Sequence, residues 1–305
     1  MTRKSYKELL QVTISLVETN ICPVCRTNGV SKLLFELEKT KVYRCLCGLK
    51  FIDPSLDAES MMRIYQSSES LKEINPALEN YYEYDTLNPQ SLTCKDYTRA
   101  LERAARHVQR RDLLEIGCGT GSFLDFARSK GWNPYGVDSS SENIAKLQQK
   151  GIEGACANSL DYFPDLCFDL IALWDLIEHL QDPFSFVKKS WQMLNPNGLL
   201  LIATPHDPNL LTLLANFFYR LSAGKIRFPV KQLYFLEHTS YFSLKTLSVL
   251  LKKGQFEIIQ SWKTETDLER YRFSKLTRTA LQISFFLARF LKLQNRIFVI
   301  AKKQS

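Results

Sequence analysis

The run Leu113-Leu114-Glu115-Ile116-Gly117-Cys118-Gly119-Thr120-Gly121-Ser122-Phe123 constrains this chain more than any other stretch. An apolar strand feeds a turn with three glycines, which permit tight backbone angles and a close approach to a ligand. A strand, turn and helix in this order open the nucleotide-binding half of a doubly wound α/β domain. Asp138 follows about twenty residues on, at the end of the next expected strand, where a carboxylate can hydrogen-bond ribose hydroxyls.

The downstream pattern agrees. Strands are expected at 112–116, 133–137, 152–157, 168–174, 199–204, 256–261 and 296–301, with helices at 122–130, 141–150, 184–194, 210–221, 243–253 and 277–293. Phe168–Trp174 is nearly continuous in apolar residues, as a strand buried on both faces must be. Alternation at this spacing predicts a seven-stranded, mostly parallel sheet with right-handed crossovers. The segment after the fifth strand is irregular and belongs at the carboxyl ends of the strands, where such folds bind ligands. Upstream, residues 1–20 read as an amphipathic helix, 21–53 as a short β-rich segment and 54–110 as polar and largely helical.

With 305 residues, 45% of them apolar, the chain can bury one full α/β domain plus a small appendage. No apolar run reaches the roughly 18 residues of a membrane span. The amino terminus lacks a signal-peptide pattern, so a cytoplasmic location is expected, with the eight cysteines reduced or bound to metal. The net charge of +8 is uneven: residues 263–305 hold ten Lys/Arg against three acids. Such a tail could meet phosphate, an anionic membrane or an acidic partner, or form a solvated helix face.

A dinucleotide fingerprint would place a third glycine at Ser122, against a pyrophosphate. The spacing here is G-x-G-x-G after an acid, Glu115, which suits a phosphate-free nucleoside bearing an ammonium group. On these residues the chain resembles the class I S-adenosylmethionine (SAM)-dependent methyltransferases over roughly 110–262. Glu115, Gly117, Gly119 and Gly121 match the family's first motif, with Cys118 inside the loop, and Asp138, followed by Ser139, matches its ribose-binding acid. Asn158 and Ser159 stand where the family contacts adenine. Phe168–Leu180, with Trp174 and Asp175 at its centre, resembles the fourth-strand motif that faces cofactor and substrate. Leu194–Leu199 resembles the turn before the fifth strand.

Cys22-Pro23-Val24-Cys25 and, nineteen residues after Cys25, Cys45-Leu46-Cys47-Gly48 offer four thiolates on two turns. That is a zinc donor set at ribbon spacing. The segment resembles the N-terminal zinc ribbon of a subset of class I methyltransferases, with C-x-C in place of the second C-x-x-C. Cys22, Cys25, Cys45 and Cys47 are therefore expected to hold a structural Zn²⁺. The resulting division is 1–75, an N-terminal helix and zinc-ribbon-like segment, and 76–305, the methyltransferase domain. The latter carries a candidate lid at 206–242 and a C-terminal apolar helix at 277–293.

Methyl transfer from a sulfonium asks the protein mainly to position a nucleophile and, for an oxygen or carbon acceptor, to remove a proton. His179, His206 and His238 are expected on the carboxyl rim of the sheet with suitable chemistry, although each could instead orient a loop or line the pocket. The tetrad of amine-methylating families is missing after the fourth strand. The resemblance is thus to the branch acting on small molecules, by O- or C-methylation of a hydrophobic or glycosylated metabolite. The apolar stretches 208–221 and 285–293 suit a hydrophobic acceptor, and 284–292 could also rest on a membrane. An RNA methyltransferase is a competing reading, weakened because 21–53 shows no clear aromatic stacking platform. A non-catalytic scaffold is a third.

Overall fold

The computed structural model describes residues 16–17, 21–28, 31–37, 40–65, 88–157 and 166–304. At the amino-terminal end come the short strand β1 (Leu16–Val17), then β2 (Ser31–Glu36), β3 (Lys41–Cys45), β4 (Lys50–Asp53), β5 (Ser55–Leu56) and helix α1 (Ala58–Tyr65). Leu16–Val17 pairs antiparallel with Ser55–Leu56, which corrects the expected helix over 1–20 at those two residues. The rest of that helix lies outside the described residues.

Helix α2 (Leu92–Ala105) starts where the Ser91 side chain accepts the Cys94 N–H, satisfying one of the free first-turn donors. The main sheet then builds from β6 (Asp112–Ile116), α3 (Ser122–Ser129), β7 (Asn133–Asp138), α4 (Ser141–Gln149), β8 (Glu153–Cys156) and β9 (Phe168–Trp174). It continues with α5 (Pro183–Met193), β10 (Leu194–Pro205), α6 (Leu210–Leu221), α7 (Phe228–Leu233), β11 (Ser240–Tyr241), α8 (Leu244–Lys253), β12 (Phe256–Thr264), α9 (Lys275–Phe290) and β13 (Arg296–Lys303).

Seven strands form one sheet in the order β12-β13-β10-β9-β6-β7-β8. Pairing is parallel from β8 through β10, and β13 runs antiparallel to both of its neighbours. Alternate residues serve opposite faces: Leu170 and Ala172 join the core under α2 and α3, whereas Ile171 and Leu173 join the other. Both faces are covered, which is why β9 reads as an unbroken apolar run. The chain leaves β6 toward β8 and returns at β9, so the crevice between β6 and β9 is the switch point.

The cysteine-bearing segment is not a loose appendage. Cys22, Val24, Cys45, Leu49 and Phe51 belong to the same core as Ile171 and Val299. Ser240–Tyr241, from the insertion after β10, pairs with Lys50–Phe51 as the outer strand of a sheet ordered β11-β4-β3-β2. Lys50 Nζ reaches Asp207 at 2.7 Å and the Tyr234 hydroxyl at 2.8 Å, locking the two segments together.

Candidate active site and zinc site

The glycine turn after β6 is held by backbone bonds, with Gly117 and Cys118 N–H both donating to Val137 O. Gly121 caps α3 with φ of 80°, and a Cβ there would lie 2.2 Å from Leu147 Cδ1. Neither the angle nor the space admits a side chain. Asp138 fastens the loop as well as facing the cavity: one oxygen accepts Gly119 N–H at 2.8 Å, and the other accepts Ser140 N–H at 2.9 Å and the Asn143 amide at 3.2 Å.

Glu115 is buried, and burial followed by the Asp138 charge pushes its carboxyl well above the usual range. Its Oε2 has no hydrogen-bond partner among the described residues. A buried acceptor without a donor is costly, and an ammonium group entering the cavity would satisfy it. Together with the glycine cradle and Asp138, this donor set fits a nucleoside that carries an amino-acid end.

These residues open on a cavity of about 1600 Å³. Glu115, Gly117, Cys118, Gly119, Asp138, Ser139, Trp174 and Asp175 all line it. Gly121, between the lining residues Thr120 and Ser122, is not itself part of the lining, and Asn158 and Ser159 lie outside the described residues. Trp174 stands in an aromatic wall with Tyr97 (4.6 Å between ring centroids), Phe123 (4.9 Å) and Phe298 (5.5 Å). Small-molecule pockets usually occupy about 300–1,000 Å³, so there is space for a cofactor and an acceptor together. From α6 onward the cavity takes Leu211 and Thr212, then Phe228 and Leu233 from α7, and Thr277 and Leu281 from α9. The stretch 285–293, expected to face an acceptor, contributes nothing to the lining; the earlier turns of α9 do.

Asp175 has φ of 50° and meets Arg296 at 2.8 Å and Arg270 at 3.5 Å. Burial would raise its carboxyl, but the two guanidinium groups win and hold it below the ordinary value. Arg296 and Arg270 line the cavity and pair with Asp175, which motif reading missed because each lies about a hundred residues from Asp175 and in no motif. Glu178 is buried, accepts the Thr204 hydroxyl at 2.7 Å, and is pushed up to about 8 by burial and the Asp175 charge.

Two of the three histidines share the cavity. His179 Nδ1 lies 2.7 Å from Glu237 O. A carbonyl can only accept, so Nδ1 bears the hydrogen and Nε2 the lone pair. Burial lowers this imidazole to about 4, leaving it neutral at pH 7. The Tyr65 hydroxyl sits 3.1 Å from Nδ1 and 3.4 Å from Nε2, and the His238 ring stands edge-on at 4.6 Å. His206 does not line the cavity; its Nδ1 bonds Gln294 O at 3.2 Å, and burial, then Lys263, lowers it to about 4. His179, in the short helical turn after β9, and His238, in the 206–242 insertion, are brought together, a proximity that spacing alone does not reveal.

The four sulfurs of Cys22, Cys25, Cys45 and Cys47 lie within 4.8 Å of one another. Cys22–Cys47 is 3.7 Å and Cys25–Cys45 is 3.3 Å. A tetrahedral zinc with bonds of about 2.3 Å wants sulfurs about 3.8 Å apart, so the donor set fits that ion. The C-x-C turn is made by Gly48, with φ of 102° and its N–H on Cys45 O at 2.9 Å. The hydrogen bond between Cys22 and Cys47 pulls the Cys47 thiol down and pushes the Cys22 thiol up, so in this pair one sulfur ionises readily while the other keeps its proton until a cation displaces it.

The sheet order and the glycine-cradled crevice at its switch point are those of the Rossmann-like class I methyltransferase fold. More narrowly, residues 90–261 match the family described as "Methyltransferase domain", over half of the chain, and the chain belongs to that family. The ubiquinone biosynthesis O-methyltransferase of Chelativorans sp. (strain BNC1) is 31% identical over 111 residues, covering 33% of this chain and 43% of that protein. The protein of the same name from Parvibaculum lavamentivorans is 36% identical over 110 residues, with 33% and 43% covered. The chain thus spans under half the length of these relatives. Magnesium protoporphyrin IX methyltransferase from Synechocystis PCC 6803, solved with bound SAH, shares the fold with a TM-score of 0.52 at 12% identity, covering 81% of this chain and all of that one.

Proposed function

We propose that this chain transfers the methyl group of SAM to an oxygen or carbon of an apolar small-molecule acceptor. The observation that carries the reading is the continuity of the cavity, which joins the Glu115–Asp138 loop to a vestibule walled by α6, α7 and α9. In this reading Glu115 serves the ammonium end of the cofactor, Asp138 the ribose hydroxyls, and the aromatic wall at Trp174 the apolar flank; the orphaned Glu115 Oε2 supports the first of these. When bound, SAM supplies an electrophilic methyl on sulfur, open to in-line displacement. The protein positions the acceptor and excludes water. The acceptor's proton goes to the His238 ring, and His179, kept neutral by burial, stands edge-on beside that ring and orients it. The ion pair of Asp175 with Arg296 keeps the strand tip rigid between cofactor and acceptor. Cys22, Cys25, Cys45 and Cys47 hold a structural zinc, and the related names in the family favour an oxygen acceptor.

The test combines SAM calorimetry with tritiated-methyl transfer to pooled metabolites. Wild-type protein binds SAM and labels an apolar fraction. His238→Gln and His179→Gln keep the SAM affinity and lose about 10²–10⁴-fold in transfer. No SAM binding, or label passing to RNA alone, would overturn the reading.

A further inference from the structure

The helices that wall the vestibule carry a second surface on their outer sides. On α6, Phe217, Phe218 and Leu221 are exposed at helical spacing, Leu221 at 72%. On α9, Ile283, Phe286 and Phe290 are exposed in the same manner, Phe286 at 70% and Phe290 at 83%. The two helices are in contact, and the Leu210 N–H at the start of α6 donates to Leu293 O just beyond α9 at 3.0 Å. Phe228, at the start of α7, is 71% exposed and also lines the cavity, so the apolar surface runs into the cavity wall. Apolar exposure on this scale marks an interaction surface.

Charge selects the partner. Residues 208–235 contain four Lys/Arg and no Asp/Glu, and residues 271–296 contain six and none. Among them Arg220, Lys225, Arg227, Lys275 and Lys292 are exposed. A second copy docked about a twofold would bring this basic rim against itself, whereas an anionic lipid surface supplies the opposite charge. Among the described residues, no helix is long and apolar enough to cross a membrane. Amphipathic helices with a basic margin lie in the interface instead.

We propose that α6, α7 and α9 form a docking face for an anionic bilayer, through which a lipid-dissolved acceptor reaches the cavity. Delivery of the acceptor rests on the methyltransferase reading; docking does not. The apolar side chains enter the boundary between headgroups and acyl chains, while the basic side chains meet anionic headgroups.

Flotation of the full chain with vesicles tests this, comparing pure phosphatidylcholine with vesicles containing about 30% phosphatidylglycerol. Binding is expected only with the anionic lipid, with at least a tenfold loss between about 0.1 M and 0.5 M NaCl. Lys225→Gln and Lys292→Gln should each weaken partitioning about fivefold. Phe286→Glu combined with Phe290→Glu should weaken it more than tenfold while SAM affinity, measured on the same preparation, stays unchanged. Partitioning that ignores lipid charge or these variants would overturn the proposal. So would a stable wild-type dimer that the phenylalanine variant converts to monomer without any vesicle binding. A failure of wild-type SAM binding would instead count against the methyltransferase reading.

Discussion

Replacing Arg296 by Met removes the closest counter-charge of Asp175. Its guanidinium lies 2.8 Å from one carboxylate oxygen and 3.1 Å from the other, and the two side chains are only 9% and 14% exposed. At an effective dielectric of about 20 that separation corresponds to about 6 kcal/mol of attraction. Desolvation of both groups offsets part of it in the native protein, so removing one partner is expected to cost about 3–5 kcal/mol. Arg270 remains at 3.5 Å, which places the expected loss near the lower figure, about 3 kcal/mol. Urea unfolding at pH 7.5 measures it, with Asp175→Asn and the double variant completing a cycle. The double variant should recover at least half of the single loss, because both buried members of the pair are then uncharged and Arg270, at 17% exposure, keeps partial contact with water. A single loss under about 1 kcal/mol, or strictly additive losses, would refute the assignment of this pair as the brace of the strand tip.

Glu178→Gln probes the raised carboxyl. Its folded value of about 8 exceeds the ordinary 4.5, so the native state holds the proton and wild-type stability falls as pH rises from about 4.5 to about 8. At pH 7 the accumulated cost is about 3 kcal/mol. The variant should gain on wild type across that window, and a difference flat with pH would sink the explanation. Gly121→Ala meets both the positive φ and Leu147; a loss of about 2–4 kcal/mol is expected, with weaker SAM binding, and an unchanged melting temperature would contradict it. Purified protein should contain about one zinc per chain, removable by chelator with a fall in melting temperature. Cys47→Ser should lower the metal content, and full occupancy in that variant would argue against the four-sulfur site.

Much of the architecture could be read from residue order because the signals are local. Strand alternation, the buried run Phe168–Trp174 and the glycine turn each depend on neighbours within a few residues, and the seven strands of the main sheet fall close to where the pattern places them, except that the fifth starts at Leu194 and takes in the expected turn at 194–199. Glu115 and Asp138 also stand out by their places beside a turn, and both line the cavity. The C-x-x-C and C-x-C pairs likewise signal one another through spacing, and their sulfurs do converge.

What could not be read depends on contacts between distant segments. Arg296 lies on the last strand, 121 residues from Asp175, and nothing in either neighbourhood names the other. Ser240–Tyr241 extends the cysteine-bearing sheet because the insertion folds back over it, so segments that look separate in sequence share one sheet. Of three similar histidines, two face the cavity and one packs behind it, a choice made by how β9, β10 and the insertion close together. Helical periodicity shows that α9 has an apolar stripe, but not which turns are covered. Packing against α6 and the cavity settles that, leaving Phe286 and Phe290 outside.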